Sequence, residues 1–383
     1  MASQYLCVIC DSDALEEIRG YASLPRATSD SKPWPRGGVL AVCMRCGGIQ
    51  NIPNAKWLDE ISRIYADYDI YHQSAGSEQL VFGDNGTGES RSKRLVEYVL
   101  EQTSLLDRGK LLDIGCGNGA TLRSFSQVLP SWDLYGNELS ISTLNVLREI
   151  RNFTHLFAGS LDGIQERFSL ISLVHTLEHI RAPQETLAAA AALLTQDGTL
   201  VVQVPNIETS PFDLLVADHL LHFSRVTLNF LIARCGLRTL ALSDKVAFKE
   251  ITLLAKRGDA VAVASDPKRG VHLASAAVDW LEEVMATTEE ACARGPIGIF
   301  GTAIAGMALY GAFKEHVIFF VDEDPNRIGR HYDGRPILAP DDAPKDVPVF
   351  LALPPHNASA VAHRCRSAGL RYILPPDAKQ VSH

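Results

Sequence analysis

From residue 91 onward the chain alternates short, almost wholly apolar runs with longer stretches in which apolar residues return every three or four positions. The first pattern suits strands buried on both faces and the second suits amphipathic helices, so the alternation predicts an α/β fold around a parallel sheet. Strands are expected at 111–114, 133–136, 154–158, 170–174 and 199–204, with a closing pair at 237–242 and 250–255. Helices are expected at 91–101, from 120 onward, at 184–194 and at 226–235. A charged, glycine-bounded linker over 257–270 leads to a long helix at 271–293, and apolar runs at 297–300 and 317–321 then open a second strand-and-helix unit. Residues 55–80 read differently, as a polar bridge whose Tyr65, Tyr68 and Tyr71 share one helical face.

With 383 residues the chain exceeds an ordinary single domain, and the pattern divides it into 1–54, a bridging segment 55–90, a sheet domain 91–257, a linker with helix 258–294, and a last domain 295–383. A hydrophobic fraction of 46% supports a large core, and a net charge of -9 argues against a nucleic-acid partner. The first residues show neither a basic region nor a long apolar stretch, and no run approaches the roughly 20 apolar residues of a membrane span. The expected location is therefore the cytoplasm, with no membrane partner. No oligomeric state is specified by the pattern.

Chemistry enters first through cysteine. Cys7 and Cys10 form one C-x-x-C pair, Cys43 and Cys46 a second, and two such knuckles supply the four thiolates that a structural zinc prefers. The next candidate is the turn after the opening strand, Asp113-Ile114-Gly115-Cys116-Gly117-Asn118-Gly119, whose glycines permit a tight turn and a close backbone approach to a ligand. Glu138 follows the second strand, where a carboxylate suits the two ribose hydroxyls of a nucleoside. Beyond the fifth strand lies Phe212 to Ser224, in which His219 is the candidate general base, Asp218 its helper, and a metal site through Asp218, His219 and His222 the lesser alternative.

The D-x-G-x-G-x-G turn resembles the first motif of class I S-adenosylmethionine-dependent methyltransferases. That resemblance implies a doubly wound Rossmann-like sheet, with Asp113, Gly115, Gly117 and Gly119 around the methionine part of S-adenosylmethionine and Glu138 on the ribose. It also implies an adenine contact from Ser160, Leu161 or Asp162 after the third strand. After the fourth strand His175 faces the cofactor, and Leu177-Glu178-His179 matches a segment frequent in the family. With the cysteine knuckles and a second, C-terminal Rossmann-like unit, nearly the whole chain is similar to the sugar C-methyltransferases that act on nucleotide-linked keto-sugars. Their Y-x-E-H segment corresponds to Val216, Asp218 and His219, so the histidine is kept, the glutamate shortened and the tyrosine lost. The loss moves weight from carbon toward oxygen as the methylated atom, and Tyr68 or Tyr71 would be a replacement. Arg327, Arg330 and Arg335 are candidate diphosphate contacts. Two other readings stay open: a nicotinamide-dependent oxidoreductase using the C-terminal domain, and a non-catalytic binding protein.

Overall fold

A computed structural model describes residues 5–68, 78, 80–82 and 88–377. Tyr71 and most of the loop at 83–90 lie outside the described residues.

The central sheet has seven strands in the order Phe153–Ala158, Asp133–Glu138, Lys110–Ile114, Phe168–Val174, Leu194–Pro205, Glu250–Arg257, Leu237–Ser243. The first five are mutually parallel, and Glu250–Arg257 returns antiparallel. Leu111, Leu112, Leu170 and Ile171 are fully buried because helices cover both faces. Leu95, Val99, Leu122 and Phe125 close one face, and Leu187, Ala190, Leu228 and Leu231 the other. Each such side chain contributes about 1.5–3 kcal/mol on leaving water. Strand ends on the carboxyl side therefore meet at one edge, the edge that in open α/β sheets carries ligands.

Two elements extend beyond the sequence pattern. The fifth strand begins at Leu194, which already pairs with Phe168, so Asp197-Gly198 falls within the strand instead of preceding it. The long helix spans Pro267–Cys292, since Asp266 accepts the Arg269 N–H as N-cap and Pro267 fits the first turn. Glycine is required at position 115: its φ is 72°, and a Cβ there would sit 2.3 Å from Thr176 Oγ1.

The N-terminal lobe is not a separate sheet. Its antiparallel strands Leu15–Glu17, Leu40–Cys43 and Ile49–Asn51 are completed by Leu221–His222, contributed from beyond the fifth central strand. Helix Ala55–Ala66, N-capped by Asn54, follows, and Trp57 donates its ring N–H to the Ala217 carbonyl at 3.1 Å. The second sheet runs His331–Tyr332, Arg335–Leu338, Val317–Val321, Ile297–Phe300, Val349–Leu351, Tyr372–Ile373, parallel except for its first hairpin. One apolar cluster joins Leu40 and Val42 of the lobe, Leu281 and Val284 of the long helix, and Ile299 and Phe320 of this sheet. No helix among the described residues is long and apolar enough to cross a membrane.

Candidate active site

Glu138 organises the glycine turn. Its Oε1 accepts the Gly117 N–H at 2.7 Å and its Oε2 the Leu139 N–H at 3.0 Å, while Gly115 N–H pairs with the Asn137 carbonyl at 2.8 Å. Asp113 lies beneath the turn, 2% exposed, and accepts from Ser172 Oγ at 2.7 Å. Burial pushes its carboxyl up to about 7. Asp113 is thus engaged with the neighbouring strand through Ser172, while Glu138 braces the glycine turn itself. Gly119, with φ 82°, sits so close to Leu147 and Ile150 that a Cβ would lie 2.6 Å from each. On the neighbouring strand end, Gly159 N–H pairs with the Glu138 carbonyl at 2.7 Å, and Ser160 Oγ donates to Asp162 Oδ2 at 2.6 Å around a half-buried Leu161.

His175, directly after the fourth strand, has φ 51°, and its imidazole spans two carboxylates. Nε2 lies 2.9 Å from Glu250 and Nδ1 3.3 Å from Glu178, with Arg91 on the far side of Glu250 at 3.2 Å. Burial and Arg91 oppose its charge, yet the two carboxylates prevail and hold its pKa above the ordinary value. Both of its ring nitrogens thus face carboxylates, with the side chain half-buried at the sheet edge.

The second constellation is built on residues 213–222. Asp213 Oδ1 lies 2.8 Å from His219 Nδ1 and Oδ2 2.7 Å from His222 Nδ1, with all three side chains nearly fully buried. The sequence pairs His219 with Asp218, but the partner is Asp213: the Asp218 carboxylate turns to Ser29, accepting its N–H at 2.8 Å and its hydroxyl at 2.5 Å. Oxygen–nitrogen gaps of 2.7–2.8 Å are hydrogen bonds, so through Nδ1 the triad is a proton network; the same three side chains, like Glu178, His179 and His219, also bring one ligand atom each within 4.8 Å of one another, a spacing at which they could hold an ion. Burial lowers the His219 pKa, but Asp213, foremost among three carboxylates, raises it to about 9.

His179 packs edge-on against His219 with ring centroids 4.7 Å apart. Its Nδ1 lies 3.0 Å from the Asp218 carbonyl, 3.2 Å from the Tyr65 hydroxyl and 3.5 Å from Asp218 Oδ2. A carbonyl only accepts, so Nδ1 carries the proton and the Nε2 lone pair is free. Glu178 is 0% exposed and neither carboxylate oxygen has a hydrogen-bond partner, a costly arrangement unless cations surround it. Burial pushes its carboxyl up, and His175, His179 and His219 more than reverse that. Glu178, His179, Asp213 and Tyr65 are the residues that sequence reasoning left out of the site. Their positions within the quoted stretches were visible, their convergence was not.

The four cysteines meet as their spacing predicts. Cys7 and Cys46 Sγ are 3.6 Å apart and Cys10 and Cys43 Sγ 3.5 Å, all buried, close to the roughly 3.7 Å edge of a tetrahedral zinc–thiolate set. Arg45 and Gly48 N–H groups point to Cys43 and Cys46 Sγ at 3.4 Å, as knuckles require. In the last sheet, Asp322 Oδ2 is taken by Thr302 Oγ1 at 2.9 Å and approached by Arg327 at 3.5 Å, so the carboxylate that a dinucleotide ribose would use is already engaged. Arg335 is spent on the Val317, Asp333 and Lys314 carbonyls.

Residues 88–242 match the family described as a methyltransferase domain. The chain is similar to the C-methyltransferase NovU of Streptomyces niveus, 26% identical over 255 residues that cover 61% of this chain and 56% of that protein. It is also similar to a ubiquinone biosynthesis O-methyltransferase of Pasteurella multocida (strain Pm70), 25% identical over 128 residues, 29% of this chain and 52% of that one. The chain spans about half the length of the curated relatives it matches. A solved S-adenosylmethionine-dependent methyltransferase from Clostridium acetobutylicum ATCC 824 aligns at 15% identity with a TM-score of 0.38, over 52% of this chain and 99% of that one.

Proposed function

We propose that this protein transfers a methyl group from S-adenosylmethionine to a carbon or oxygen atom of a sugar or nucleotide-linked sugar, with His219 as general base and a structural zinc held by Cys7, Cys10, Cys43 and Cys46. The observation that carries the reading is the buried Asp213–His219 pair at 2.8 Å, set beyond the sheet edge on which Glu138 braces the glycine turn. The Tyr65 hydroxyl lies 3.2 Å from His179 Nδ1, and burial first, then the Asp218 carboxylate, hold its pKa above the ordinary value.

S-adenosylmethionine supplies a methyl group on a positively charged sulfur, so the protein has chiefly to align the acceptor and remove one proton. Asp213 fixes the Nδ1–H tautomer of His219, which leaves Nε2 to take that proton while the acceptor's electron pair attacks the methyl carbon. The carbon–sulfur bond breaks toward sulfur, which becomes a neutral thioether. Neighbouring His179 and Tyr65 offer a polar edge for the acceptor oxygen. Gly115, Gly117 and Gly119 would cradle the methionine part, Glu138 the ribose, and Ser160 to Asp162 the adenine. The second sheet is read as a Rossmann-like unit that shapes the acceptor cleft.

The similarity of the chain to the C-methyltransferase NovU supports carbon as the methylated atom, and the sugar acceptor rests on the resemblance of the cysteine lobe, glycine turn and second sheet to the sugar C-methyltransferases. Isothermal titration with S-adenosylmethionine tests the donor, and absence of binding overturns the proposal. Incubation with labelled S-adenosylmethionine and a panel of nucleotide sugars, with the methylated atom located by NMR, tests the acceptor; failure of every sugar would redirect it to another class.

A further inference from the structure

Both oxygens of Asp213 are used, one by His219 Nδ1 at 2.8 Å and one by His222 Nδ1 at 2.7 Å. His222 is only 1% exposed, so it has no surface at which to meet an acceptor. Its remaining nitrogen, Nε2, lies 3.3 Å from Asn51 Nδ2. The orientation of that amide follows from its other contact, a donation to the His219 carbonyl at 2.8 Å, since a carbonyl oxygen only accepts. An amide N–H facing Nε2 obliges that nitrogen to be the acceptor. The proton of a neutral His222 must then sit on Nδ1, the tautomer that Asp213 needs.

Asn51 is itself rigidly placed. Its N–H pairs with the Leu220 carbonyl at 2.8 Å within the strand pairing of Ile49–Asn51 with Leu221–His222. The preceding side chain, Gln50, accepts the Val8 N–H at 3.0 Å and donates to the Leu6 carbonyl at 3.2 Å, tying the same strand to the first cysteine knuckle.

We infer that Asn51 and His222 are positioning residues for His219: Asn51 sets the His222 tautomer, and His222 occupies one oxygen of Asp213 so that the other stays on the base. The inference rests on the reading of His219 as that base. The groups that face the His219 imidazole are then Asp213 through one oxygen, Glu178, Asp218 and His179. Without the Asn51 amide nothing obliges Nε2 of His222 to accept, and the Nε2–H tautomer would turn a lone pair toward Asp213 in place of a donor, loosening the carboxylate that holds His219.

The test is histidine 15N NMR of the full-length protein, read with the pH profile of turnover. The parent protein is expected to show His222 as the Nδ1–H tautomer. In Asn51→Ala the Nε2–H tautomer of His222 becomes populated and, with Asp213 held less firmly against His219, the ascending limb of the profile moves to lower pH by on the order of one unit. His222→Asn, whose amide reproduces the Nδ1–H, restores activity to near the parent level. His222→Leu, which leaves Asp213 half satisfied, loses roughly ten- to a hundredfold in kcat with S-adenosylmethionine affinity retained. An Nε2–H tautomer in the parent protein overturns the inference, as does an unchanged profile in a folded Asn51→Ala. Should that variant not fold, the parent tautomer and the His222→Asn and His222→Leu pair decide. Full turnover in His219→Asn would reject the base, while the tautomer measurement would still judge the positioning separately.

Discussion

The Tyr65 hydroxyl lies 3.2 Å from Nδ1 of His179, bringing a phenol from the bridging helix to the histidine that follows the fourth strand. The sequence points to Tyr68 or Tyr71 to replace the missing tyrosine at position 216, but Tyr68 stands one ring away, 5.8 Å from Tyr65, and reaches toward Ser29. Tyr65→Phe is therefore expected to lower kcat about three- to tenfold, the worth of one hydrogen bond, with S-adenosylmethionine affinity unchanged. Steady-state kinetics and titration calorimetry of the variant check this, and an unaltered kcat would remove Tyr65 from the site.

Glu138 accepts the Gly117 N–H with one oxygen and is the candidate ribose ligand with the other. Replacing it with alanine loses both, and S-adenosylmethionine affinity should fall roughly 10- to 100-fold, within the range of charge-assisted hydrogen bonds. Calorimetric affinity within twofold of the parent would show that Glu138 serves only the loop.

At position 115 an alanine would place its Cβ 2.3 Å from Thr176 Oγ1 and would have to adopt φ 72°. Strain of about 1–3 kcal/mol is expected to open the turn, so Gly115→Ala should lose S-adenosylmethionine binding while circular dichroism still reports a folded sheet.

The raised His219 pKa has two consequences of fixed sign. Its folded value of about 9 exceeds the ordinary 6.5, so its contribution to stability is fully present below pH 6.5 and is lost as pH rises through 9, at most about 3 kcal/mol in all. In His219→Gln that decline in melting temperature between pH 6.5 and 9 should vanish. Turnover runs the other way, rising with pH over the same window as Nε2 loses its proton, and in His219→Asn it should fall at least 100-fold. A pH-independent rate in the parent enzyme would count against His219 as the base.

Metal removal offers a fifth check. Elemental analysis is expected to find one zinc per chain, and Cys43→Ser to abolish it and lower the melting temperature by roughly 5–10 °C. Because Ile49–Asn51 pairs with Leu221–His222, turnover should fall with the metal even though no cysteine approaches the acceptor site.

Much of the fold was legible in the chain. Strand and helix positions follow from period, and the glycine turn and cysteine pairs from local spacing, since the groups that act together there are contiguous and a turn needs only its own residues. The carboxylate on His219 was not legible in this way. Asp218 is its chain neighbour, yet in an irregular segment pinned by Ala27, Trp57 and Asn51 adjacent side chains diverge, so Asp218 meets Ser29 while Asp213, six residues back in a short 3-10 turn, meets the imidazole. Tyr65 and Asn51 enter from elements far away in sequence, and no periodicity records where a distant strand will pair. Sequence by itself determined the glycine turn and the cysteine knuckles, because their geometry is local; the arrangement of the candidate base belongs to tertiary structure, because Ala27, Asn51 and Trp57 from distant segments must pack before the stretch 213–222 is held in place.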